Sequence, residues 1–105
     1  MLTQKEYISA FKLNTGEEII AKVIDESPNG TWYKIQKPLQ LIPGDPKDPM
    51  SQPVFVPIVG MFDFESDIEL NTHGIMLKGK ADKQIKAAYE QVLSPLVLPK
   101  SSLVV

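Results

Sequence analysis

Apolar residues fall along this chain in short runs separated by turn-forming residues, a spacing that suits strands better than long helices. Residues 11–37 organise the rest, reading as three consecutive strands joined by two tight turns, with Ile19, Ile20, Val23 and Ile24 supplying a β-branched run. The first turn is Asn14-Thr15-Gly16, with glycine where a three-residue hairpin loop requires positive φ. The second is Ser27-Pro28-Asn29-Gly30: proline presets φ, asparagine tolerates the left-handed region, and glycine closes the loop. Strands are expected at 7–13, 17–25 and 31–42, the last interrupted at Pro38, which cannot donate to a ladder and marks a bend or an edge.

Residues 43–53 carry Pro43, Pro46, Pro49 and Pro53 without any apolar period, and read as a surface loop within one domain. A strongly apolar strand is expected at 54–61, broken by Pro57 and Gly60. Residues 62–70 alternate, predicting a half-buried strand with Phe62, Phe64, Ile68 and Leu70 inward and Asp63, Glu65, Asp67 and Glu69 in an outer acidic row. A turn at 71–74 precedes a last strand at 75–78. The period then changes: Ile85, Ala88, Tyr89 and Val92 recur at helical spacing over 81–93, with Asp82 as N-cap and Pro95 as stop. The tail 94–105 is apolar (Leu96, Val97, Leu98, Leu103, Val104, Val105) and is expected either to dock on the domain or to be buried by another subunit.

These elements predict an all-β chain: a small, strongly bent, five-stranded antiparallel barrel over residues 1–80, followed by a C-terminal helix. At 105 residues the chain forms one domain with one modest core, burying roughly 65% of its unfolded surface. The absence of cysteine removes disulfide, thiolate and cysteine–zinc chemistry and fits a cytoplasmic setting. No apolar run approaches the roughly 18 residues of a membrane span, and the first residues lack the layout of a secretory leader. The net charge of −2 argues against a protein that coats nucleic acid generally. All eleven basic residues are lysine, which meets phosphate as a point charge but lacks the planar fork of arginine.

The residues Phe11-Lys12-Leu13, Gly16, 20–24, Asp25 and Asn29 resemble the first motif of the Sm/LSm-like family, and Leu77-Lys78-Gly79 is similar to the apolar–basic–glycine triplet of its second. The resemblance spans residues 7–79 and is closest to Sm-like proteins encoded by phages of the cyanophage type. It departs from the family at Ala21, where a glycine usually permits strong bending, and at Ser27, where a base-stacking aromatic or histidine usually stands. Lys78 also replaces the more typical arginine, and a helix follows the strands where the family usually has one before them.

The resemblance implies a homo-oligomeric ring, in which the fourth strand of one subunit pairs with the fifth of the next. It also implies single-stranded RNA binding in the bacterial cytoplasm during phage infection. Asn29 would bond a base, Lys78 a base or phosphate, and Asp25 would orient the loop. Two short apolar strands, 54–59 and 75–77, independently favour pairing between subunits, because they would leave a sticky edge in a monomer.

Each candidate residue also has a plainer role. Asn29-Gly30 serves equally as turn chemistry, and Trp32 and Tyr33 as core or interface aromatics rather than stacking faces. Lys78, Lys80, Lys83 and Lys86 form the densest basic run, either a phosphate track or a solvated face. The acidic row would space its carboxylates about 7 Å apart along a straight strand, too spread to converge on a divalent cation. His73 has no partner at a readable spacing, and no catalytic, cofactor or phosphate-loop signature is present. The expectation is therefore a binding module with no enzyme activity and no cofactor. The alternative is an oligomeric scaffold or adaptor that binds a host or phage protein and has no RNA site.

Overall fold

A computed structural model describes residues 6–58, 60 and 62–93. The expectations for the tail 94–105, and for Val59 and Met61 at the end of the 54–61 strand, lie outside that range. Six antiparallel strands form one sheet: β1 (Tyr7–Leu13), β2 (Glu18–Glu26), β3 (Trp32–Ile42), β4 (Val54–Pro57), β5 (Ile68–Asn71) and β6 (Ile75–Gly79). A 3-10 turn (Thr72–Gly74) joins the last two strands, and helix α1 (Lys83–Leu93) follows. The sheet order is β4-β3-β2-β1-β6, with β5 also pairing β3. Among the described residues β6 pairs only with β1, and β4 and β5 only with β3, so the sheet does not close. The all-β reading with a C-terminal helix holds; among the described residues there are six strands rather than the five expected.

Both hairpin turns form where glycine permits them. Gly16 has φ +105° and Gly30 φ +74°, in the region side chains disfavour. Asp82 caps α1 as expected, its carboxylate accepting from the amides of Gln84 (3.0 Å) and Ile85 (3.3 Å). No helix among the described residues is long and apolar enough to cross a membrane.

The sheet is bent enough to bury side chains on both faces. One cluster gathers Phe11, Ile19, Ala21, Val23 and Ile35, with Leu13, Tyr33, Ile68, Leu70 and Ile75 packed against it. Neighbouring strands lie about 4.8 Å apart, so β6 and β3, three positions removed, would be about 14 Å apart in a flat sheet. Yet the Lys78 ammonium on β6 sits 5.1 Å from the centre of the Tyr33 ring on β3. The sheet curls around this cluster. The second cluster, on the opposite face, joins Ile20, Leu39 and Tyr89, with Ile8, Phe55, Phe64, Ile85 and Leu93. Helix α1 supplies its cover.

A bulge in β3 allows one strand to serve both clusters. The β2–β3 register steps from Ile20↔Leu39 to Lys22↔Gln36, leaving Ala21 opposite both Lys37 and Pro38. The extra residue reverses side-chain parity. Before it Tyr33 and Ile35 join the first cluster; after it Leu39 joins the second. Lys37 adopts φ +51°, a left-handed conformation that costs a non-glycine residue about 1 kcal/mol or more. Pro38 is buried there, and its missing N–H leaves no donor orphaned in the broken ladder. The bend expected at Pro38 is thus present within the sheet.

The freed Lys37 carbonyl accepts a hydrogen bond from the Tyr89 hydroxyl at 2.7 Å, 52 residues further along the chain. Tyr89 is 1% exposed, and the edge of its ring meets Phe55 at 6.4 Å between centroids. Burial pushes its phenol up to about 12, partly offset by the nearby Lys22 backbone amide.

The stretch 62–70 departs from expectation. Only Ile68–Asn71 is strand. Upstream, Asp63 turns the chain by accepting from the Glu65 amide (2.9 Å), while Ser66 bonds the Asp63 carbonyl through both its amide (3.0 Å) and its hydroxyl (2.7 Å). Such local bonds compete with a ladder. The acidic row is therefore absent as a straight face: Glu65 pairs with Lys37 (3.1 Å) and Asp67 accepts from Gln36 (2.6 Å). The apolar residues separate as well, with Phe62 exposed, Phe64 in the helix-side cluster, and Ile68 and Leu70 in the other.

Replacing Tyr89 with Phe keeps the ring and orphans the Lys37 carbonyl, at an expected cost of about 1–3 kcal/mol in urea unfolding. The raised phenol pKa means the folded state holds its proton more tightly than the unfolded chain. Wild-type stability should thus be full below pH 10 and fall as pH rises towards about 12. The Phe variant should lack that decline; an identical alkaline profile would exclude Tyr89 as its source.

Candidate functional site

The strand that ends at Gly79 and the helix that starts at Lys83 are only three residues apart, so their charges remain neighbours in space. A groove of about 940 Å³ lies between the β1/β6 edge and α1 and brings together Lys22, Lys78, Lys80, Lys83 and Lys86. Lys83 and Lys86 are one helical turn apart and share a helix side. Lys22 arrives from β2, where it points away from Ala21 and Val23 and so towards the helix side of the sheet. Two carboxylates, Glu6 and Glu90, also line the groove, leaving an excess of three positive charges from five lysines and two glutamates. Among the described residues only Lys22 of these lysines is ion-paired, to Glu6 at 3.0 Å. Both partners are substantially exposed, so that pair contributes little and competes weakly with an incoming anion.

The floor is more ordered. Ser9 is buried and its hydroxyl donates to the Gly79 carbonyl at 3.2 Å, tying β1 to the end of β6. Tyr7 stands at the groove with 39% of its surface exposed. The Lys78 ammonium lies 4.9 Å from the centre of the Tyr7 ring and 5.1 Å from that of Tyr33, a double cation–π contact that fixes its position. Tyr33 in turn packs on Phe11 at 5.9 Å. Lys78 therefore connects the core aromatics to the basic groove.

Asn29 and Asp25 lie elsewhere. The groove contains Lys78 but neither of them. Asn29 sits at the tip of the β2–β3 turn, its side-chain oxygen accepting from the Thr31 hydroxyl at 2.9 Å. Asp25 lies in β2 and its carboxylate accepts from the next amide, Glu26, at 2.8 Å. The turn itself is closed by Ser27, whose buried hydroxyl accepts from the amides of Thr31 (2.6 Å) and Trp32 (3.1 Å). A side chain that satisfies two backbone donors explains serine at a position where the family resemblance would place an aromatic. Across the turn, Thr72 donates to the Gly30 carbonyl at 2.9 Å and docks the 3-10 turn on the loop.

Trp32 is half-buried, with the Lys34 ammonium 5.8 Å from its ring, and Tyr33 joins the core. His73 lies in the 3-10 turn; its carbonyl accepts from the Asn14 side chain at 2.5 Å and its amide donates to Asn71 at 2.8 Å. Among the described residues no cluster of histidine and carboxylate side chains is arranged to hold a metal ion.

The lysine run 78–86 was readable from the sequence; its convergence with Lys22 and Tyr7 was not. Strand parity put Lys22 on the face opposite Ala21, but only the placement of α1 on that face makes it part of the groove. In comparison with known proteins, no family model matches the chain and no curated protein matches it.

Ser27→Ala should leave the Thr31 and Trp32 amides unpaired and lower unfolding stability by about 1–3 kcal/mol. Asn29→Ala, at the exposed turn tip, should cost less than that. An equal or larger loss at Asn29 would place the closure of the loop there instead.

Proposed function

We propose that this chain is a non-enzymatic binding module for single-stranded RNA, and that its lysine groove is the principal contact. The observation that carries this reading is the convergence of five lysines on one groove beside an exposed tyrosine ring. Lysine ammoniums meet successive phosphates as point charges, and a tyrosine face accepts a base without selecting its identity. A flexible strand can follow lysines spread over β2, β6 and α1, whereas a duplex presents its phosphates on a fixed surface. Asn29 and Asp25 belong to the proposal as a second contact at the β2–β3 turn, on the Sm-like resemblance alone.

The same reading includes self-assembly. Among the described residues the order β4-β3-β2-β1-β6 leaves an unpaired edge at β6, where Met76 and Leu77 are exposed, and another at β4, where Val54 is exposed. Unpaired edges of this kind are templates for further strands. Pairing β6 of one copy with the β4/β5 side of the next would produce an Sm-type ring and carry several lysine grooves on one body. Such multiplicity would raise the affinity of weak individual grooves for a long strand. The exposed apolar edge also favours a second reading, in which the assembly is a scaffold for a host or phage protein in the bacterial cytoplasm and the groove is idle.

Fluorescence anisotropy with short U-rich and A-rich RNA distinguishes the two readings. Saturable binding that weakens with salt is expected, and the Lys80→Ala/Lys83→Ala/Lys86→Ala variant should reduce the log–log salt slope by about 2, given about 0.7 per phosphate for single strands. Lys78→Ala should weaken binding without changing the assembly. No binding even at low salt would leave the scaffold reading. By sedimentation the particle mass should be a multiple of 11.7 kDa, and a single-subunit mass would remove the ring.

A further inference from the structure

The β2–β3 turn carries an asparagine beside a glycine at its tip. The chain has three asparagines, and only Asn29 is followed by glycine; Asn14 and Asn71 precede Thr15 and Thr72. A β-branched side chain crowds its own backbone nitrogen, whereas glycine leaves that nitrogen open to a neighbour. Asn29 and Gly30 are both exposed, and a Cβ built on Gly30 would meet nothing within 4 Å. We propose that Asn29 is a site of spontaneous deamidation, and that closure of the turn sets its rate.

In this reaction the Gly30 backbone nitrogen gives its proton to solvent and attacks Asn29 Cγ. The new N–Cγ bond closes a cyclic imide, the Cγ–Nδ2 bond breaks, and Nδ2 leaves as ammonia after taking a proton from solvent. Water then opens the imide at either carbonyl. One opening gives aspartate; the other reroutes the backbone through the side chain as isoaspartate. One water enters and one ammonia leaves, with no change of oxidation state. The Thr31 hydroxyl donates to the Asn29 side-chain oxygen at 2.9 Å. Negative charge gathers on that oxygen as the nitrogen adds, so the bond favours the step.

The closed turn restrains the nucleophile. The Gly30 amide donates to the Ser27 carbonyl at 3.1 Å, and the Gly30 carbonyl accepts from the Thr72 hydroxyl at 2.9 Å. A bonded amide gives up its proton less readily, so attack proceeds when the turn opens locally. The buried Ser27 hydroxyl, accepting from the Thr31 and Trp32 amides, holds the turn shut. Asn14 and Asn71 are held differently: Asn14 donates to the His73 carbonyl, and Asn71 accepts from the His73 amide. Each event replaces a neutral amide with a carboxylate and takes the net charge from −2 to −3. Isoaspartate also lengthens the backbone of a turn whose bonds fit its present length. Conversion would remove the Asn29 amide from the second RNA contact, and that consequence alone rests on the RNA reading.

Incubating the full chain at mildly alkaline pH, then mapping its peptides by mass and by isoaspartate content, tests the assignment. Aspartate and isoaspartate should accumulate at 29 while 14 and 71 remain asparagine. Equal conversion at all three would overturn the site, as would none at 29 under conditions where the urea-unfolded chain converts. Ser27→Ala should speed conversion at 29 roughly tenfold, the factor that corresponds to about 1.4 kcal/mol of lost turn closure. Thr72→Val frees the Gly30 carbonyl from outside the turn and should speed conversion in the same direction, which keeps the test open if Ser27→Ala folds poorly. An unchanged rate in either folded variant would overturn control by turn closure.

Discussion

The hydrogen bond from Tyr89 to the Lys37 carbonyl is the contact on which the rest of the architecture depends. It occupies the place where the β2–β3 ladder gains an extra residue on β3, and each of its parts explains another. The bulge reverses the parity of β3, so Ile35 and Leu39 serve opposite faces of one strand. The same reversal leaves a carbonyl without a strand partner, and a buried unpaired carbonyl is costly. Proline at 38 removes the donor that would otherwise share that fate. The tyrosine satisfies the carbonyl and, by doing so, fixes where α1 lies on the sheet. Helix docking and sheet bending are thus one event rather than two.

That docking also sets the electrostatics. A net charge of −2 does not by itself favour polyanions, yet the fold sorts its charges. The acidic stretch 63–69 spends two of its carboxylates on β3, with Glu65 on Lys37 and Asp67 on Gln36. The lysines of β6 and α1 make no such pairs among the described residues, and they line one groove beside the helix. Local field, not net charge, decides whether a phosphate chain is attracted, and a groove lined by one sign concentrates that field.

Much of the fold was legible because its signals are local. Gly16 and Gly30 require the left-handed conformations they adopt, and Asp82 caps the helix that its position predicts. Pro38 announced a bend, though nothing local could say that the bend would be a bulge satisfied from residue 89. The 62–70 stretch shows the opposite case: a clean alternation was overridden by Asp63 and Ser66, whose side chains turn the chain before it reaches Ile68. Asx and serine turns are equally short-range signals, but period-two patterning conceals them. Of the site, the lysine run was visible and the groove was not, since Lys22 and Tyr7 join it only through the placement of α1.

Lys78 shows how core and site are joined. An exposed lysine usually loses considerable side-chain freedom when it grips an anion. Here the ammonium already rests between the rings of Tyr7 and Tyr33, 4.9 and 5.1 Å from their centres, and Tyr33 is held by Phe11 in the curled core. Part of the ordering cost that gripping an anion would carry is therefore met by folding, which is what preorganisation means in energetic terms. The rings attract the cation without neutralising it, as a carboxylate would, so its charge stays available to a phosphate. The curl of the sheet, which brings β3 and β6 together, is accordingly a condition for the site as well as for the core.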